Sequence, residues 1–293
     1  MKISIITWDA SFRENFHTVD SFGQQEYPKD DFEFLWCDYY SAQNPVLIEK
    51  VNKYPQSSIV NLGNSVNEQW HLGKTINKGI SQSKGDILII PDGDVMVPKN
   101  FLTQVEEIFN SSSENLVVYF RRWDEPANKH SKESYTIDYL SDVCQLNNMT
   151  NYGGGFAIRR NVFEDIGFYE EHDVFSGPGA NGLEQYLRFR NKGLQIMWSE
   201  IKIYHPYHSF TGSSDKINEE IFEAAKNNNW IIPYMGLKQS WVIKQRDKHI
   251  DWKANDESIE SYLKSLKPLR EYLPKQTPKT DSNFRKIIKR LTS

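Results

Sequence analysis

The sequence has only two cysteines, Cys37 and Cys144, in 293 residues. Two thiols make neither a disulfide framework nor a four-ligand zinc site, and they fit a reducing compartment such as the cytosol. No stretch approaches the roughly 18 consecutive apolar residues of a membrane span. Met1-Lys2 runs straight into ISIIT, too brief an apolar segment for a secretory signal. A large excess of charge is also missing: the formal net charge of −4 gives no ground to expect a nucleic-acid partner for the whole chain. Two phosphate cradles are absent as well. No G-x-G-x-x-G follows the first expected strand, and no G-x-x-x-x-G-K-[S/T] occurs. A nucleotide bound here would need a cation to neutralise its phosphates.

What is present is enough apolar material for a sizeable core. Apolar residues make up 38% and aromatics 13%, so one large domain or two smaller ones are possible. Charge is unevenly spread. Residues 264–290 hold nine Lys/Arg against Glu271 and Asp281, a local +7 that leaves −11 elsewhere. In the last segment Phe284, Ile287, Ile288 and Leu291 share one helical face, opposite Arg285, Lys286, Lys289 and Arg290. This basic amphipathic pattern fits an anionic surface, including a membrane face, as well as an end helix packed on the body.

The first 95 residues alternate regularly. Strands are expected at 2–7, 32–36, 58–62 and 87–90, with helices at 13–22, 45–53 and 66–83 between them. This βαβαβαβ order predicts a mainly parallel sheet flanked by helices. Such sheets bind ligands beyond the carboxyl ends of their strands. Asp9, Asp38, Asp92 and Asp94 all fall just after expected strands. Taken alone, Asp92-Gly93-Asp94 reads equally as an acidic turn or as a hard-cation site. Acidic residues after three strands, gathered at one sheet edge, favour the site.

Further on, a helix is expected at 99–109, a strand at 116–121 and a polar loop at 123–135. Asn151 to Arg160 carries three consecutive glycines before an apolar strand at 156–158. Glycines so placed let backbone approach something closely, here read as a wall beside a sugar. A short helix is expected at 161–166 and another at 183–191, stopped by Gly193. Glu184 and Arg188 lie four apart on the latter, which makes either an ordinary surface pair or a carboxylate aimed at the site. Two short strands, 194–198 and 201–204, lead to His205-Pro206-Tyr207-His208, a spacing that suits two metal ligands.

These motifs together resemble the GT-A glycosyltransferases of family 2. The resemblance rests on Asp9, Asp38, N-K-G-I-x-x-S-K-G-D from Asn77 to Asp86, D-G-D, G-G-G-F from Gly153 to Phe156, I-G-F-Y-E-E from Ile166 to Glu171, E-x-x-x-R and H-x-x-H, and covers about residues 1–210. It implies a Rossmann-like α/β fold with a mixed, mainly parallel sheet, divided into a nucleotide-sugar-binding half (1–95) and an acceptor-binding half (96–240). Residues 241–293, which the resemblance does not cover, are expected to form a basic, helical C-terminal extension.

The implied activity is inverting transfer from a nucleotide sugar, by default UDP-linked, to a glycan or lipid-linked acceptor in surface polysaccharide synthesis. The enzyme would be cytoplasmic and peripheral to the membrane. Asp9, Asp38, Asn77, Asp92 and Gly154 would contact the donor, and Asp94, His205 and His208 would hold Mn2+ or Mg2+. The acidic pair usual just before the E-x-x-x-R helix is replaced by Asn181-Gly182, so the catalytic base falls to Glu184, with Asp173 as an alternative. A sugar-1-phosphate nucleotidyltransferase would need a basic glycine-rich loop after the first strand, where only Arg13 stands. A non-catalytic sugar- or nucleotide-binding partner is the reading that the missing pair favours.

Overall fold

A computed structural model describes residues 1–11, 13, 15–127, 134–149, 154–169, 171 and 181–208, together with 244–245 and 248–249. Asp173, Gly153 and the basic tail at 264–293 lie outside the described residues. So does the helix expected between residue 211 and Asn227.

Seven strands form one sheet: β1 (Ile3–Asp9), β2 (Phe32–Tyr40), β3 (Ser57–Asn64), β4 (Ile87–Ile90), β5 (Leu116–Asp124), β6 (Phe156–Arg159) and β7 (Gln195–His205). Their spatial order is β3-β2-β1-β4-β6-β5-β7. All neighbours pair in parallel except β6, which runs antiparallel to both β4 and β5. Among the described residues the helices are α1 (His17–Gly23), α2 (Pro45–Asn52), α3 (Leu72–Gln82), α4 (Phe101–Asn110), α5 (Ile137–Val143), α6 (Arg160–Asp165) and α7 (Asn181–Asn191). A two-residue hairpin, β8 (Lys244–Gln245) and β9 (Lys248–His249), completes the described elements.

The strands are apolar on both faces because helices cover both. Ile3, Ile5, Phe34 and Trp36 pack with Val19 and Phe22 of α1, Leu47 of α2, and Phe101 and Val105 of α4. On the opposite face Ile6, Leu35 and Cys37 meet Ile76 and Ile80 of α3, Phe163 of α6 and Phe189 of α7. Each fully buried aromatic or aliphatic side chain contributes on the order of 1.5–3 kcal/mol. Both cysteines are buried and unpaired. No described helix is long and apolar enough to cross a membrane.

Several boundaries differ from the sequence expectation, each for a visible reason. Helix α1 starts at His17 rather than Arg13, because Ser11 has φ of 57° and the Arg13 side chain is drawn to Asp94. Helix α3 starts six residues later than expected. Trp70 is stacked on Trp8 at 5.1 Å, and His71 caps the first turn through the Lys74 amide. The two short strands after Gly193 are one strand with an irregularity: Phe120 pairs with Ser199, but Arg121 pairs with Lys202. Helix α5 begins just after the loop expected at 123–135, where no helix was expected, and packs Leu140, with the capping Cys144, against Met96 and Tyr204.

Candidate functional site

The register of the sheet assembles the site. Asp9 is directly opposite Asp38 at the ends of β1 and β2, and β4 delivers Asp92-Gly93-Asp94 beside them. Gly93 is fitted against β1, where an added Cβ would stand 2.9 Å from the Trp8 carbonyl. Thr18 of α1 donates to the carbonyls of Gly93 (3.0 Å) and Val95 (2.7 Å), fixing the turn from behind. His17 Nε2 lies 3.0 Å from the Asp94 carbonyl, which can only accept, so this nitrogen is the donor. Burial pushes the His17 pKa down and keeps the ring neutral.

Asp94, His205 and His208 converge: one ligand atom from each lies within 4.8 Å of the others. His205 Nε2 is 3.6 Å and His208 Nε2 is 3.3 Å from Asp94 Oδ2, and the two Nε2 atoms are 3.2 Å apart. Arg13 forms an ion pair with the same carboxylate oxygen. Burial opposes charge on Asp94, but Arg13 and His205 outweigh it and hold the carboxyl well below the usual range. For Asp92 burial and the Asp94 charge prevail, so its pKa is raised; Arg122 Nη1 stands 3.7 Å from it. Asp94 Oδ1 is buried with no hydrogen-bond partner among the described residues. Such an orphan is costly unless a ligand takes it. One carboxylate and two imidazoles suit a divalent transition ion, so the residues fit the cation expected of them.

The other expected residues are placed as follows. Asp9 Oδ1 accepts from the Ala10 amide at 2.8 Å, and Asp38 Oδ1 accepts from the Ser11 hydroxyl at 3.0 Å. Asn77 clips α3 to the segment after α6. Its amide nitrogen donates to the Tyr169 carbonyl and Glu171 Oε1, both at 2.8 Å, and its oxygen accepts from the Tyr169 amide. A Cβ on Gly154 would lie 2.1 Å from the Phe120 carbonyl, so this glycine lets β6 start against β5. Glu184 is on α7, and its side chain lies outside the described residues. Arg188 is buried and donates to the Ile166 carbonyl (3.3 Å) and Gln185 Oε1 (3.0 Å), tying α7 to the end of α6.

Sequence reasoning missed His17, Arg122 and Asp124, and passed over Arg13 as an isolated cation. Alternation R-x-D at the end of an apolar strand was the available signal for the pair on β5, which extends three residues further than expected.

Asp38 carries a testable consequence. Burial, and then the Asp9 charge, push its pKa up to about 7. An unfolded-chain carboxyl titrates near ~3.9. The folded state therefore holds this proton more tightly, and stability is lost as pH rises from about 4 to 7. Asp38→Asn is expected to be more stable than the parent at pH 8, by about 1–3 kcal/mol in thermal melts. The gap should shrink as pH falls below 7. A variant that melts lower at pH 8 would contradict the buried-charge account.

Comparison with known proteins gives the following. The family model described as glycosyl transferase family 2 matches residues 17–167. No curated protein sequence matches the chain. Among solved structures, TarS residues 1–349 from S. aureus in complex with UDP-GlcNAc matches with a TM-score of 0.54 at 15% identity, over 77% of this chain and 67% of that one. The mannosyltransferase PcManGT from Pyrobaculum calidifontis, in complex with GDP-Man and Mn2+, gives 0.53 at 13% identity, over 76% and 62%. GalNAc-T7 with UDP, GalNAc and Mn2+ gives 0.53 at 14% identity, over 78% and 48%. At such identities the likeness shows the fold alone. This chain spans less than two thirds of the length of the last two.

Proposed function

This chain belongs to glycosyl transferase family 2, and on that footing we propose that it moves a sugar from a nucleotide-sugar donor, by default UDP-linked, to a glycan or lipid-linked glycan acceptor with inversion. The observation that carries the reading is the convergence of Asp94, His205 and His208 beside the Asp9–Asp38 edge of a GT-A sheet. Residues 1–95 form the donor half, and residues 96–240 the acceptor half.

The chain's own groups divide the work. Asp9 and Asp38 meet the base and ribose, and Asp92 lies between ribose and diphosphate. Asp94, His205 and His208 hold a divalent cation, and two imidazoles in the set favour Mn2+ over Mg2+. When bound, the cation neutralises charge that the diphosphate gains as the glycosidic bond breaks. Arg13 adds a guanidinium at the same edge. Glu184 deprotonates the acceptor hydroxyl, which attacks the anomeric carbon from the face opposite the leaving diphosphate.

The test is nucleotide release from a panel of UDP- and GDP-sugars with Mn2+. One nucleoside diphosphate should appear, and its release should stop with chelator. Glu184→Gln should keep donor affinity while losing transfer by about 10²-fold or more. Release of pyrophosphate from a nucleoside triphosphate, with no turnover of nucleotide sugars, would contradict the reading and support nucleotidyl transfer.

A further inference from the structure

The parallel register of β5 and β7 sets Asp124 opposite His205. The strand ends are locked there. Asp124 and Gln145 exchange backbone hydrogen bonds at 2.9 Å, and the Glu125 amide donates to the His205 carbonyl at 2.9 Å. The buried Glu125 carboxylate accepts from the Tyr207 amide at 2.8 Å and the Tyr139 hydroxyl at 2.6 Å. That holds the turn which brings His208 back toward His205.

Within this frame Asp124 Oδ1 lies 3.0 Å from His205 Nδ1, and Arg122 Nε lies 2.8 Å from the same oxygen. Arg122 also reaches toward Asp92 at 3.7 Å. Both contacts of Asp124 Oδ1 are ion-pair contacts without hydrogen-bond geometry, so charge and proximity hold the carboxylate against the far nitrogen of the ring. With the carboxylate at Nδ1, Nε2 is the ring atom that faces Asp94 and His208. Ligand histidines are commonly fixed by such a partner at the far nitrogen, which sets both tautomer and ring orientation.

We propose that Asp124 is a positioning residue: its carboxylate, 3.0 Å from His205 Nδ1, orients the ring so that Nε2 faces the cation site, and is itself steadied by Arg122, which links it to Asp92. The proposal rests on the metal-site reading given above. Asp124 touches neither donor nor acceptor, and acts only through His205.

The experiment is Mn2+ binding to the full chain without substrate, by calorimetry and by electron paramagnetic resonance of free Mn2+, for the parent, Asp94→Asn, Asp124→Ala and Asp124→Asn. Asp124→Ala should weaken Mn2+ binding by about 10–100-fold. Asp124→Asn should recover part of the loss, because its amide oxygen can still stand against Nδ1. In turnover assays the KM for Mn2+ should rise, with kcat largely restored at saturating metal. A purely structural role would lower the melting temperature and leave the Mn2+ affinity unchanged, and that result overturns the proposal. If the parent binds Mn2+, Asp94→Asn does not, and Asp124→Ala binds like the parent, only the positioning role falls. If the parent binds no Mn2+, the metal site and the positioning role fall together.

Discussion

Asp94→Asn is expected to lower metal-dependent sugar transfer by at least about 10²–10³-fold, the scale of losing one electrostatic stabiliser of a developing charge. Arg13, His205 and His208 all face its Oδ2, and its Oδ1 is buried with no hydrogen-bond partner among the described residues. The asparagine keeps the shape and removes the charge, so loss of Mn2+ binding should accompany loss of turnover. Asp94→Ala is the less clean variant. Both variants take the carboxylate from Arg13, but alanine also removes the acceptor oxygen, and breaking a buried pair outright costs up to about 3–5 kcal/mol. Asp9 and Asp92 lie close enough to Arg13 to offset part of that. Undiminished turnover by a folded Asp94→Asn protein would remove Asp94 from the chemistry.

Gly155→Ala is expected to produce a large loss of stability. Gly155 has φ of 78°, and a Cβ there would stand 2.1 Å from the Ile90 carbonyl and 2.6 Å from Pro91 Cα. Both neighbours are backbone at the end of β4, so relief of the overlap would displace the segment leading to Asp92. Left-handed strain of about 1–2 kcal/mol adds to an overlap of about 1–3 kcal/mol. Gly193→Ala is the control: its φ is 73°, but nothing lies within 4 Å of the added Cβ, so only the strain should appear. Chemical denaturation should separate the two variants by at least about 1 kcal/mol. Equal losses would contradict the backbone-overlap account.

Much of the fold was legible because its signals are local. Apolar β-branched runs end at acidic residues, and helical spacing lies between them, so the strands carrying Asp9, Asp38 and Asp92 could be placed from sequence. Asn44-Pro45 announced α2, whose cap the Asn44 side chain supplies. The His pair could be singled out because both members lie in one short segment. The surroundings of the cluster were not legible, because they depend on pairings between distant segments. Asp124, with Arg122 beside it, meets His205 only through the β5–β7 register, across about 80 residues of chain and past an irregularity at Ser199. Arg13 reads as an isolated surface cation until the end of β4 is laid beside β1. The triple glycine was read as a wall beside a sugar. Gly154 and Gly155 are accounted for by close approach to β5 and β4, with donor contact by Gly154 standing as part of the proposed function.

The most direct test of the donor–metal site is a thermal-shift screen of nucleotide sugars, each with Mn2+ and with chelator, on the parent and Asp94→Asn. A ligand at 100 times its Kd stabilises a folded protein by about 2.7 kcal/mol. The account predicts that one nucleotide sugar raises the melting temperature of the parent with Mn2+ present, and that chelator or Asp94→Asn abolishes the shift. Equal stabilisation with and without Mn2+, or a shift retained in full by Asp94→Asn, would contradict it.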